Sequence, residues 1–145
     1  MKPTDPLSVT HAAVTRLPHA LVALGDKDDC ETLRRILTEC GLEPMACSTV
    51  KEAKALLTSN AVSLAFCAEH FSDGDYSDLV CAVRSSGQPI PVVVCSRQLD
   101  PSLYLDAMEL GAYDFMVQPY RKADVAWIIE GALWEVKAKA IGAHN

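Results

Sequence analysis

The chain has 145 residues, of which 50% are hydrophobic and 22% charged, enough for one packed domain and short for two. Its formal net charge of −6 repels a phosphate backbone or an anionic membrane surface, so neither nucleic acid nor membrane is an expected partner. No apolar run reaches bilayer-spanning length, and the first 18 residues lack the apolar core of a secretory signal, so a cytoplasmic location is expected.

Residues 1–18 carry three prolines and no sustained periodicity, and are predicted to be a flexible tail ahead of a domain over 19–140, with a short C-terminal tail at 141–145. From Ala20 onward, short apolar runs alternate five times with longer amphipathic segments. That alternation predicts an α/β fold, a parallel sheet with crossover helices. The predicted strands are 20–24, 43–47, 62–67, 91–95 and 113–117. The third and fourth, VSLAFC and PVVVC, are apolar almost throughout, as strands covered on both faces must be, and are placed in the sheet interior.

Between the runs lie helix signals. Asp28 and Asp29 precede LRRIL, Thr49 and Glu52 have capping-box spacing, and Asp100-Pro101 suits an N-cap and first helical position. Gly41 and Gly111 stand where helices should stop. In the last segment Val125, Ile128, Ile129, Ala132, Leu133 and Val136 recur at helical spacing and form one apolar face. Trp127 and Trp134, seven residues apart, fall on the opposite side, with Ile141 on the same line. Two outward tryptophans either mark a contact surface or are covered by another helix or the N-terminal tail.

Six cysteines, Cys30, Cys40, Cys47, Cys67, Cys81 and Cys95, are scattered singly and read as buried thiols in a reducing compartment; none pairs with a histidine at a zinc spacing. Asp73 and Asp75 flank Gly74 and read as turn formers, and His70 as a solvated loop residue. The run LGDKDD lacks the Gly- and hydroxyl-rich phosphate loop of a flavin protein, and no G-x-G-x-x-G occurs, so no nucleotide cofactor is expected.

A right-handed (βα)5 chain folds as a doubly wound, five-stranded parallel sheet in three α/β/α layers, with ligand chemistry at the carboxyl ends of the strands. Those ends are Leu24-Gly25-Asp26, Ala68-Glu69-His70, Ser96-Arg97 and Gln118-Pro119. Over about residues 18–139 the chain resembles the flavodoxin-like receiver domains of two-component response regulators, in IPVVVCS, in FSDGDYSDLV and above all in DAMELGAYDFMVQPY, which is similar to the family's GA-x-D-[FY]-x-x-K-P signature in all but one residue.

The resemblance implies where a phosphorylation site would lie and how this chain departs from it. The phosphoacceptor Asp position holds Ala68, the acidic-pair positions hold Leu24 and Gly25, and the Lys position holds Gln118. Ser96 retains the hydroxyl, and Phe115 matches the switch aromatic. A methyl group cannot attack phosphorus, and a hard cation needs oxygen ligands, so phosphoryl chemistry is expected to be lost. A shift of one or two residues in the first strand would bring Asp26, or Asp28 and Asp29, into the metal site; the three read first as a helix cap. Glu69 is read chiefly as a solvated loop carboxylate, with a fixed charge imitating the phosphorylated state as the alternative, because strand neighbours point to opposite faces.

In receivers the face of the fourth helix, fifth strand and fifth helix commonly mediates dimers and partner contacts. The resemblance thus makes Tyr104, Tyr120, Trp127 and Trp134 the candidate interface residues. The expectation is a stand-alone, non-enzymatic pseudo-receiver acting in bacterial signal transduction through a protein partner or a homodimer, without a cofactor. The alternative is a conventional receiver with displaced acidic residues that takes phosphate from a histidine kinase and uses Mg²⁺.

Overall fold

The computed structural model describes residues 17–142, with side chains through Glu135. The expected tails, apart from Leu17, Pro18, Ile141 and Gly142, lie outside the described residues, as do the side chains of Val136 and Ile141. In chain order the elements are β1 (His19–Ala23), α1 (Lys27–Glu39), β2 (Glu43–Cys47), α2 (Val50–Ser59), β3 (Val62–Ala68), β4 (His70–Phe71), β5 (Gly74–Asp75), α3 (Tyr76–Ser86), β6 (Val92–Ser96), α4 (Pro101–Leu110), β7 (Asp114–Val117) and α5 (Lys122–Gly142).

The main sheet is parallel with order β2-β1-β3-β6-β7, so the chain winds outward in both directions from β1, and β3 and β6 are interior as their apolar sequences require. Alternation along each strand divides the core between two faces. Ala20, Val22, Leu64, Phe66, Val93, Cys95 and Met116 pack with Leu33 and Leu37 of α1 and Val125, Ile129 and Ala132 of α5. Leu21, Ala23, Ala65, Cys67, Val92 and Val94 pack with residues of α2, α3 and α4. Three layers result.

The helix punctuation is where composition put it. Asp26 caps α1 by accepting from the Asp29 backbone N–H at 2.9 Å. Thr49 caps α2 and Asp100 caps α4. Gly111 ends α4 at φ 111°, a left-handed conformation that a Cβ would strain.

The short antiparallel ribbon β4–β5 was not expected, and it gives Asp73 and Asp75 more than turn roles. Asp75 caps α3 in a reciprocal box with Asp78. Asp73 reaches back to α2 and accepts from the backbone N–H groups of Val50 at 2.8 Å and Lys51 at 3.0 Å, tying the loop after β3 to a helix N-terminus more than 20 residues earlier. Of the six cysteines, all free, Cys67 and Cys95 are buried, Cys30, Cys40 and Cys47 half-buried, and Cys81 exposed on α3, which corrects the expectation of uniformly buried thiols. Among the described residues no helix is long and apolar enough to cross a membrane.

Candidate functional site

At the carboxyl edge of the sheet, the ends of β1, β3 and β6 enclose a cleft of about 260 Å³ lined by Leu24, Asp26, Ala68, Glu69, Ser96, Arg97 and neighbours. Ala68 is the last residue of β3 and faces this space with a methyl group. Leu24 is buried in the core, and Gly25 is exposed at the rim. Gln118 lies in a separate depression with Asp29, Thr32, Pro119 and Tyr120; its backbone N–H donates to the Ser96 carbonyl at 3.0 Å.

The polar groups of the cleft are satisfied by one another. Ser96, 3% exposed, has two acceptors for its one hydroxyl proton, Glu69 Oε1 at 2.7 Å and the Gln98 carbonyl at 2.9 Å, and its oxygen accepts from the Gln98 backbone N–H at 3.3 Å. The reading of Glu69 as a purely solvated carboxylate is therefore corrected. Strand alternation does not govern it, because β3 ends at Ala68 and the chain bends at Glu69 before entering β4. His70 Nε2 lies 3.7 Å from the other Glu69 oxygen, with a side chain that is otherwise exposed.

Arg97, which sequence reasoning noted only in passing, supplies the cleft's guanidinium. It donates to Asp26 Oδ2 at 2.8 Å and lies 3.7 Å from Asp29 Oδ2. Both oxygens of Asp26 are thus engaged, one by the α1 backbone and one by Arg97. The Asp29 N–H foremost, and then Arg97, hold the Asp26 carboxyl below the usual carboxylate range. This donor set does not match a Mg²⁺ site, since Ala68 and Leu24 offer no side-chain oxygen and Asp26 has none free. Among the described residues, no three His, Cys, Asp or Glu side chains are grouped to hold a metal ion. The one available signal for Arg97 was that it is the lone cation in the four strand-end tails.

The four expected interface aromatics do not form one surface. Tyr120 is half-buried against the α1–α5 core and lines the carboxyl-edge cleft. Burial foremost raises its hydroxyl pKa. Tyr104, 39% exposed on α4, packs edge-on to Phe115 with ring centroids 5.9 Å apart. Phe115 itself is partly buried against the α2–α4 side. Trp127 and Trp134 do share a face: they are 79% and 70% exposed and flank a groove of about 330 Å³ with Tyr113, Asp114, Ile128, Glu130 and Gly131. No described helix covers them.

A doubly wound five-stranded sheet with the order found here, carrying its cleft at the ends of β1, β3 and β6, has the fold of response-regulator receiver domains of the CheY-like type. Among solved structures, a two-component response regulator from Clostridium difficile matches with a TM-score of 0.74 and 26% identity, over 80% of this chain and 95% of that one. A response regulator receiver domain protein from Methanospirillum hungatei matches with a TM-score of 0.77 and 18% identity, over 86% and 99%. NtrX from Brucella abortus in complex with ADP matches at 0.83 with 23% identity, over 88% of this chain and 30% of that one. No protein-family model matches the sequence, and no curated protein is similar to it.

Proposed function

We propose that this chain is a degenerate receiver, a non-enzymatic signalling module of the cytoplasm that works through protein contacts and is not phosphorylated. The observation that carries this reading is the methyl group of Ala68 at the end of β3, in a cleft whose carboxylates are already committed to Arg97, to Ser96 and to the start of α1. A phosphoryl acceptor needs a free nucleophilic oxygen and a nearby cation to neutralise the transferred group. Here Asp26 and Asp29 hold the guanidinium, and Glu69 sets a carboxyl oxygen against the buried Ser96 hydroxyl. A partner supplied to that hydroxyl from within the chain supports one standing conformation rather than a switched one. Mg²⁺ has no part in this reading.

Incubation of the purified chain with acetyl phosphate and Mg²⁺, followed by intact mass, tests it. An unchanged mass is expected. A gain of one phosphoryl group would overturn the proposal in favour of the conventional receiver with displaced acids, and the labelled peptide would then contain Asp26, Asp29 or Glu69.

A further inference from the structure

Both tryptophans of the chain stand in one groove. They are separated by seven residues of α5, about two helical turns or roughly 10 Å along the axis, with Gly131 between them. A helix-interior glycine costs about 1 kcal/mol relative to alanine. Gly131 has a local reason: a Cβ there would come within 2.6 Å of the Tyr113 hydroxyl, so the missing side chain lets Tyr113 lie directly against the helix backbone. Tyr113 lines the groove together with the two tryptophans.

The rim is acidic. Asp114 and Glu130 line the groove, and Asp124 is exposed one turn before Trp127 on the same side of α5. No Lys or Arg is among the described residues that line it. Three aromatic surfaces beside carboxylates, in a chain of net charge −6, form an environment that attracts cations and offers them π faces once they arrive.

We propose that this groove docks a basic segment of a protein partner, one in which an Arg or Lys side chain inserts between Trp127 and Trp134 while a neighbouring apolar side chain packs on the exposed indole surface. The inference rests on the reading of the chain as a protein-contact module and names the chemistry of its partner. A second copy of this chain would bring like-charged rims together, with Asp114, Asp124 and Glu130 on both sides, which disfavours that occupant.

Because these are the chain's two tryptophans, their emission reports on the groove alone. The test titrates the full chain with a short peptide of alternating Arg and Leu, with the same peptide carrying Glu for Arg, and with one carrying Ser for Leu. Free protein is expected to emit as water-exposed indole at every concentration. The Arg-Leu peptide shifts that emission, the Glu peptide does not, and the Arg-Ser peptide binds more weakly. In anisotropy with labelled Arg-Leu peptide, Glu130→Lys and Trp134→Ala each weaken binding roughly tenfold, a loss on the scale of one desolvated cation–π contact.

Equal binding of the Arg and Glu peptides, or binding that Glu130→Lys and Trp134→Ala leave unchanged, would overturn the proposal. Emission already buried in the free chain would assign the groove to a segment of the chain itself, and emission that depends on protein concentration would assign it to a second copy. Either result also overturns it. None of these outcomes alters the phosphorylation result, and a phosphoryl gain would leave the tryptophan emission unexplained, so the two proposals fail separately.

Discussion

Glu69 turns back to Ser96 because it follows the last strand residue instead of sitting within the strand. Its identity was legible in the sequence, but its direction depends on a bend that only tertiary structure fixes. Asp73 is similar: its turn preference could be read, whereas its bonds to Val50 and Lys51 join residues too distant in sequence for any local pattern to show. Four carboxyls are held below their ordinary range by hydrogen bonds to folded-state donors. For Asp26 the leading donor is the Asp29 N–H, for Glu52 the Ser48 N–H, for Asp73 the Val50 N–H and for Asp75 the Ser77 hydroxyl. A carboxyl depressed by folding contributes stability above its unfolded pKa, about 4, and loses it as pH falls through the lower folded value. The urea midpoint is therefore expected to be flat from pH 7 to about pH 5 and to drop below about pH 4, and less steeply in Asp73→Asn than in the native chain. A midpoint that rises on acidification would contradict the assignment.

At the level of elements, the five strands of the main sheet were readable to within one residue at every end because their apolar runs are short, continuous and bounded by caps and glycines. The β4–β5 ribbon was not, since two residues per strand carry no periodicity. Tyr120 was misplaced for a related reason: it precedes α5, so helical phase did not bear on it, and it packs inward while Trp127 and Trp134 obey the phase and point out. The packing of α5 against Tyr113 gives a direct test. Gly131→Ala in the native background sets helix propensity against a collision with the Tyr113 hydroxyl, whereas in Tyr113→Phe the nearest remaining atom of that ring is 3.8 Å away, an ordinary contact. Gly131→Ala should stabilise the Tyr113→Phe chain by about 1 kcal/mol and the native chain by clearly less, or destabilise it. Equal effects in the two backgrounds, measured by chemical denaturation, would mean that Tyr113 does not constrain the position.

For the molecule as a whole, the two-faced core determines which thiols meet solvent. Burial drives the Cys95 and Cys67 thiols up, and Cys47, also chiefly through burial, is pushed up to about 12. Cys81 alone is exposed. Brief alkylation of the native chain should label Cys81 first by peptide mapping, with Cys67 and Cys95 reacting only after denaturation. Early labelling of Cys67 would contradict the packing of β3.

The open edges of the sheet are β2 and β7. In β2 the Glu43 N–H points inward, donating to the Pro18 carbonyl at 2.9 Å, so alternation turns the next residue's nitrogen outward, and that residue is Pro44. A proline there leaves any incoming strand without a donor at the position where pairing would start. Pairing by an added strand is thus hindered where β2 begins, and β7, which has no proline, is the border without that block.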